Sequence, residues 1–221
     1  MHPALRIVHL TDNLYVYTTW GTADGAPYPA NGLILVTRAG VALMDSPWDT
    51  TQFQPLLDSI QRRFHRPVVL CIATHFHEDR TAGLTYYRTR GIKTYTTALT
   101  DSLCRVHGEP RAEFLFSGDT VFRLGGYVIQ TYYPGEGHTK DNIVVWFDRA
   151  KVLYGGCLVK SMEANDLGNV ADGNLAAYAE TIRRVQRKFP DAAYVIPGHL
   201  DWHDKRSLRH TLDMALSAGS R

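Results

Sequence analysis

An apolar run that ends in a cluster of histidines and acids is the feature that most constrains this chain. The run covers residues 68–73 and is followed directly by Thr74-His75-Phe76-His77-Glu78-Asp79-Arg80. Its composition predicts a buried β-strand, and side chains two residues apart lie on the same side of an extended backbone. His75, His77 and Asp79 therefore face one small volume where the strand ends. Imidazole and carboxylate groups are common zinc ligands, so this segment predicts half of a metal site.

Three further metal-binding side chains each follow a glycine near the predicted end or start of a strand. They are His138 in Gly137-His138-Thr139, Cys157 in Gly155-Gly156-Cys157 and His199 in Gly198-His199. Glycine lets the backbone turn sharply and approach a buried site closely. The chain thus offers six ligands, which divide into two sets of three. Three protein ligands that leave one position open are typical of catalytic rather than structural zinc.

The order of predicted strands and helices indicates an α/β protein built from two similar halves. In each half, several strands precede a long amphipathic helix, over residues 50–64 in the first half and 174–189 in the second. Two halves, roughly 1–110 and 111–221, that pack sheet on sheet with their helices outside would form a four-layer αβ/βα sandwich. We expect residues 1–221 to form one such domain of two pseudo-symmetric halves.

Composition excludes several classes of partner. The chain is 44% hydrophobic and 21% charged, which suits a globular protein and argues against disorder. Its formal net charge of +2 is too small to indicate binding to nucleic acid or to an anionic membrane. No apolar run approaches the ~20 residues that span a bilayer. We therefore expect no nucleic acid and no membrane as partner, and we expect a monomer.

Taken together, the four motifs resemble those of the metallo-β-lactamases, and more narrowly the broad-spectrum di-zinc subclass with a Cys ligand (class B, subclass one). The resemblance covers nearly the full chain and includes Asp45-Ser46-Pro47-Trp48 and Leu167-Gly168-Asn169. Related hydrolases on the same fold usually carry a second His directly after the Asp. Arg80 occupies that position here, and it cannot ligate a metal because its guanidinium stays protonated.

The resemblance implies a ligand set and a reaction. His75, His77 and His138 would bind the first of two Zn²⁺ ions, and the second would be bound by the remaining three ligands, Asp79, Cys157 and His199. The activity would be hydrolysis of the β-lactam amide bond of penicillins, cephalosporins and carbapenems, which confers antibiotic resistance. A water shared by two zinc ions has its pKa lowered to about 7 and would supply the nucleophile.

Three side chains have catalytic or substrate-binding roles by the same resemblance. Asp79 would orient the attacking water as well as bind metal, and Asn169 would donate a hydrogen bond to the developing oxyanion. Lys160 lies three residues after Cys157 and would bind the carboxylate that β-lactams carry.

Other residues are expected to cover the site or to hold its ligands. Residues 21–29, which we call the flap, predict a loop between two strands, with Trp20 and Tyr28 near its base. The flap would close over apolar substrate groups, although a plain hairpin loop is the alternative. Metal ligands also need hydrogen-bond partners that fix their orientation. The candidates for that role are Asp45, Arg80, Asp141 and Asp172.

Two other functions stay open at the level of sequence. One is a different hydrolase on the same fold, such as a thioesterase or a lactonase, which a panel of substrates would distinguish. The other is a zinc-stabilised binding module without turnover. Structural zinc sites are closed by four ligands each, so six ligands for two metals give that reading little support. Because β-lactams act on cell-wall synthesis outside the cytoplasm, we expect a periplasmic mature form, with its leader absent from this chain.

Overall fold

Two β-sheets pack face to face and helices cover their outer sides in the computed structural model, which describes residues 4–219. The first sheet contains, in both chain and spatial order, β1 (Arg6–Thr11), β2 (Leu14–Ala23), β3 (Ala26–Thr37), β4 (Gly40–Met44), β5 (Val68–Ile72), β6 (Lys93–Thr97) and β7 (Phe114–Phe116). The second contains β8 (Val121–Leu124), β9 (Tyr127–Tyr132), β10 (Val144–Phe147), β11 (Val152–Gly156) and β12 (Tyr194–Pro197). The α-helices are α1 (Phe53–Phe64), α2 (Glu78–Thr81), α3 (Leu84–Arg88), α4 (Ala98–His107), α5 (Leu175–Lys188) and α6 (Ser207–Ala218).

Both sheets combine an antiparallel meander with parallel strands added through a helical crossover. In the first sheet β1 to β4 pair antiparallel, and β5, β6 and β7 then add in parallel. In the second sheet β8 to β11 pair antiparallel, and β12 pairs parallel with β11 after α5. The parallel strands matter for function, because their carboxyl ends carry most of the predicted metal ligands.

Alternation along the strands separates the core into layers. Leu33 and Leu35 of β3 pack between the two sheets, whereas Ile34 faces the opposite side and packs against α1. A third cluster joins the outer face of the second sheet to α5 and α6, with Tyr178 and Ile182 fully buried. This arrangement of helix, sheet, sheet and helix follows from the period-two pattern of the strands and confirms the predicted four-layer αβ/βα sandwich.

Helix ends follow local capping chemistry. The side chain of Asn174 accepts a hydrogen bond from the Ala177 backbone N–H at 3.1 Å and begins α5, and Pro190 follows its last turn. Asp49 caps a short 3₁₀ helix, Thr50–Gln52, by accepting from the backbone N–H of Thr51 at 2.7 Å. That 3₁₀ helix leads into α1, so the chain turns helical just after Trp48.

The flap is more regular than the sequence indicates. Its residues continue β2 and β3 as a paired hairpin, with Trp20 opposite Pro29 and Gly21 opposite Tyr28. Only two residues, Asp24 and Gly25, form the turn, and both have positive φ angles of 51° and 76°. Two positive φ angles are what a tight two-residue hairpin turn requires, and Asp-Gly is a favoured pair for it. The flap is therefore a hairpin between two strands, as the sequence allowed, but its turn is two residues long and the strands continue through most of residues 21–29.

The boundary between the sheets lies between β7 and β8, a few residues beyond the division near residue 110 that the sequence suggested. β7 has only three residues, too few for an alternating pattern to be recognised in the sequence. Within residues 4–219, no helix combines the length and the apolar character needed to cross a membrane.

Candidate metal centre

Four separate segments bring the six predicted ligands together. His75, His77 and Asp79 follow β5, with Asp79 in the first turn of α2. Cys157 follows β11 directly and His199 follows β12 by two residues. His138 lies in the loop between β9 and β10. Since β5 and β12 belong to different sheets, the site exists only because the two sheets pack against each other.

The first group of ligands is a triangle of imidazoles. The metal-binding atoms of His75, His77 and His138 all lie within 4.8 Å of one another. The three ring centroids are 4.9, 4.9 and 5.1 Å apart, with the rings close to perpendicular. Nε2 of His77 lies 3.1 Å from the Asp172 carboxylate, which leaves Nδ1 to face the centre. Nε2 of His75 is buried and has no hydrogen-bond partner.

The second group joins a carboxylate, a thiol and an imidazole. Oδ2 of Asp79 lies 3.4 Å from Sγ of Cys157 and 3.1 Å from Nε2 of His199. Sγ of Cys157 lies 3.2 Å from the same Nε2. Nδ1 of His199 donates to the backbone carbonyl of Pro29 at 2.8 Å, so Nε2 is the nitrogen free to bind a cation. His75, Asp79 and Cys157 also lie within 4.8 Å of one another, which places the two groups side by side.

Burial and neighbouring charges set the protonation of four of the ligands. Burial lowers the pKa values of His75 and His138 well below the usual value, so both imidazoles are neutral. Burial also raises the pKa of the Cys157 thiol. For Asp79, burial acts to raise the pKa, but Arg80 and His199 outweigh it and hold the carboxyl well below its usual range. Neutral imidazoles with a carboxylate and a thiol are a zinc-type donor set, and a buried Nε2 of His75 without a hydrogen-bond partner fits the role of a metal ligand.

Arg80 is fully buried and ties the second group to both sheets. Its Nε donates to Asp79 at 2.9 Å, while its two Nη atoms donate to the backbone carbonyls of Asn31 at 2.7 Å and Gly198 at 2.8 Å. Nη2 also lies 3.1 Å from Nε2 of His199. The guanidinium thus fixes one ligand directly and the backbone next to another. The role of Arg80 as a residue that supports the ligands stays a prediction, to which these contacts give a geometry.

Asp45 contacts Arg80 and also binds the backbone of Thr74, the residue that precedes His75. Its carboxylate accepts from the backbone N–H of Thr74 at 2.7 Å and from Tyr154 Oη at 2.6 Å, and it faces Arg80 at 3.4 Å. Burial raises the pKa of Asp45 to about 6, although Arg80, Tyr154 and Thr74 oppose that effect. Its positive φ of 68° is a strained conformation for a residue other than glycine.

Asp172 and Asp141 differ in what they contact. Asp172 reaches His77, as expected of a residue that orients a ligand. Asp141 is fully buried, and burial raises the pKa of its carboxyl. Neither oxygen of Asp141 has a hydrogen bond to a metal ligand within residues 4–219, so the expectation that it holds a ligand directly is wrong.

The ligands open into a cleft of about 1020 Å³. Lys160 and Asn169 line one wall, and Tyr28 of the flap lines another. Oδ1 of Asn169 accepts from the backbone N–H of Ala171 at 3.1 Å, so the amide nitrogen is the atom left to donate. The combination of a metal-type centre, a lysine and a free amide donor in one cleft suits a substrate that carries both a carbonyl and a carboxylate.

Comparisons with known proteins agree with this geometry. The chain is 44% identical over 212 residues to a metallo-β-lactamase type 2 of Elizabethkingia meningoseptica, which covers 96% of this chain and 85% of that protein. It is 40% identical over 205 residues to metallo-β-lactamase IND-1 of Chryseobacterium indologenes, which covers 93% and 86% respectively. The chain belongs to the metallo-β-lactamase family. It is a zinc-dependent hydrolase of the β-lactam amide bond.

Solved structures of the same family share the whole fold. The crystal structure of metallo-β-lactamase IND-7 has a TM-score of 0.93 at 39% identity and covers 96% of this chain and 98% of its own. A metallo-β-lactamase from Pontibacter korlensis has a TM-score of 0.93 at 35% identity, with 96% and 99% covered. No protein-family model matches the chain.

One aromatic residue that lines the cleft of this metallo-β-lactamase was not singled out from the sequence. Trp20 is not among the residues that line the cleft within the described part of the chain, whereas Trp48 is. The Trp48 indole donates to Glu78 at 2.7 Å, and its ring lies 6.3 Å from the ring of His199. Asp45 directly follows β4, and Trp48 lies three residues after Asp45. That position, in the segment Asp45-Ser46-Pro47-Trp48, is the sequence feature that could have identified Trp48 as a residue of the site.

Proposed function

We propose that the enzyme holds two zinc ions, one on each group of ligands. His75, His77 and His138 would hold the first, and Asp79, Cys157 and His199 the second. The proposal is carried by the way the six donors divide: the two groups lie side by side, and each contributes three atoms. Three protein ligands leave room for water or substrate at each ion, as in catalytic sites.

Bound zinc would supply Lewis acidity and lower the pKa of a water toward 7. The chain's own residues then have distinct tasks. The Asp79 carboxylate accepts hydrogen bonds and would orient the attacking water through Oδ1, because Oδ2 is engaged by Arg80. The free amide of Asn169 would donate to the carbonyl oxygen as negative charge develops there.

Substrate orientation would come from charge and from the flap. Lys160 lines the cleft and would pair with the substrate carboxylate. Burial lowers the pKa of this lysine, but an anion beside it favours the charged form. Tyr28 lines the cleft from the flap, while Trp20 would act at the base of the flap rather than by touching substrate.

The cleft supports a broad substrate range. Its two recognition groups are a lysine that would pair with a carboxylate and an amide that would donate to a carbonyl. Penicillins, cephalosporins and carbapenems all carry both a carboxylate and a carbonyl. We therefore include carbapenems among the substrates and antibiotic resistance as the consequence. We also propose that residues 1–221 act as one monomeric domain in the periplasm, because the substrates act on cell-wall synthesis outside the cytoplasm.

A zinc titration with matched rate measurements tests this proposal. Zinc-free protein is loaded stepwise while bound zinc and the hydrolysis of a penicillin and a carbapenem are measured. We expect two ions per chain and loss of both activities with a strong chelator. Cys157→Ser should retain one ion and lose most turnover. Chelator-resistant hydrolysis, or two ions with full activity in C157S, would overturn the assignment.

A further inference from the structure

The base of the flap is held by a side chain that lies outside the metal centre. Pairing between β1 and β2 ends at Arg6 and Thr18, and within residues 4–219 the outer edge of β2 has no strand neighbour beyond that point. Two residues later, Oε1 of Gln52 accepts from the backbone N–H of Trp20 at 2.9 Å. Nε2 of Gln52 donates to the backbone carbonyl of Trp20 at 2.6 Å. One buried amide thus takes the place of a strand neighbour at this single position.

The residues opposite this pair contact a metal ligand. Trp20 pairs with Pro29 across the hairpin. The carbonyl of Pro29 accepts from Nδ1 of His199 at 2.8 Å, and Ala30 forms a β-bridge with His199. The ring of Tyr28 lies 5.2 Å from the His199 ring. Three consecutive residues at the base of the flap therefore surround the imidazole that faces Asp79 and Cys157.

The other side of the same base is restrained by Trp48. A Cβ placed on Gly21 would lie 2.2 Å from Cε3 of Trp48, so the backbone of the flap rests directly on that indole. Gln52 and Trp48 both belong to the segment that leads into α1. Two contacts from one short segment thus fix adjacent residues, Trp20 and Gly21, and limit how far the base of the flap can move.

We infer that Gln52 is a positioning residue that fixes the base of the flap and, through the Trp20–Pro29 pair, the orientation of His199. Without Gln52, Trp20 would lose both hydrogen bonds on its outer edge and the pair would be free to shift outward. The Pro29 carbonyl would move with it, and Nδ1 of His199 would lose its fixed partner. A residue that directly orients a ligating histidine contributes about 10–100-fold to metal affinity. Gln52 acts through the Trp20–Pro29 pair rather than directly on His199, so its effect should lie at the lower end of that range. This inference rests on the two-zinc assignment proposed above.

Gln52→Met tests the inference, because methionine has similar length and volume but cannot replace either hydrogen bond. Gln54→Met is the matched control. Gln54 is exposed in the first turn of α1, two residues after Gln52, and bonds Asp58, Tyr86 and Arg90. Zinc affinities of both sites are measured by chelator competition on the intact protein. We expect Q52M to weaken the second site about tenfold and to leave the first site within about twofold, with Q54M unchanged at both.

Two spectroscopic measurements separate positioning from general stability. With cobalt in place of zinc, the charge-transfer band of the Cys157 thiolate should shift or lose intensity in Q52M but not in Q54M. Amide hydrogen exchange at Trp20 should accelerate at least tenfold in Q52M. Gln52→Glu keeps an acceptor for the Trp20 N–H and should fall between Q52M and wild type at the second site.

The outcomes are distinguishable. If wild type binds a single zinc ion, the two-zinc assignment fails whatever Gln52 does. If wild type binds two ions and Q52M binds both with wild-type affinities, the positioning role is wrong. Equal weakening of both sites together with a lower melting temperature would also overturn it, because that pattern indicates only a less stable fold.

Discussion

Replacing Arg80 by methionine should reveal how strongly one buried cation holds the two sheets together. Arg80 donates to the Asp79 carboxylate and to the carbonyls of Asn31 and Gly198, at distances between 2.7 and 2.9 Å. It also faces Asp45 at 3.4 Å. The side chain is 1% exposed, so no water replaces these contacts when the guanidinium is removed. Arg80→Met fills most of the volume but leaves two buried carboxylates without their cation.

The size of the effect follows from that geometry. Removing one partner of a buried ion pair costs about 3–5 kcal/mol, because the other charge stays buried. The carbonyls of Asn31 and Gly198 also lose one donor each but keep another, from Tyr154 Oη and from the Asn31 backbone N–H. Costs within one contact network do not add simply. We expect a loss of about 4 kcal/mol in the free energy of unfolding. Since small domains are stable by about 5–15 kcal/mol, the variant should fold but be marginal.

Urea unfolding of the zinc-free protein, followed by far-UV circular dichroism, measures this loss. Arg80→Lys is the matched variant: it keeps the charge but lacks the planar fork, and we expect it to lose about 2 kcal/mol. A loss below about 1 kcal/mol in R80M, with an unchanged dependence on urea concentration, would refute the reasoning. It would mean that the contacts of Arg80 are replaced or that the carboxylates take up protons at little cost.

Three other variants test single features of the site. Burial raises the pKa of Asp45 from 3.8 to about 6, so the folded protein holds this proton more tightly, and its contribution of about 3 kcal/mol to the free energy of unfolding is present below pH 3.8 and lost as the pH rises through 6. In unfolding titrations of zinc-free protein between pH 4 and 7, Asp45→Asn should lack this loss, and the same dependence of stability on pH in both proteins would contradict it. Asp172→Asn weakens the partner of His77, so zinc affinity at the first site should fall roughly 10–100-fold in chelator competition, with the second site as internal control. Gly173→Ala would place a Cβ 2.5 Å from the Gly137 carbonyl oxygen, so thermal unfolding should show a loss of about 1–3 kcal/mol, whereas Gly219→Ala, with its nearest atom at 3.5 Å, should be nearly neutral.

Much of the fold and most of the metal ligands were predictable from local patterns. The period-two alternation of strands such as β3 and the amphipathic pattern of α1 are set by neighbouring residues, so they identify the layers. The ligands also carry local signals, because His-x-His-x-Asp and Gly-His mark places where a strand stops and the backbone turns. The strands of the flap were predicted too short, because the glycines and prolines around Asp24-Gly25 hide the alternating pattern of a hairpin.

Contacts between distant segments were not predictable in the same way. The sequence alone determined which chemical groups the chain offers and where its strands end, because side-chain type and periodicity are local properties. Only the packing of the two sheets decided that Arg80 bridges Asp79 and Gly198, that Trp48 rather than Trp20 lines the cleft, and that Gln52 completes the edge of β2. Each of these depends on residues 30 or more positions apart meeting in space, and a pattern along the chain contains no information about that meeting.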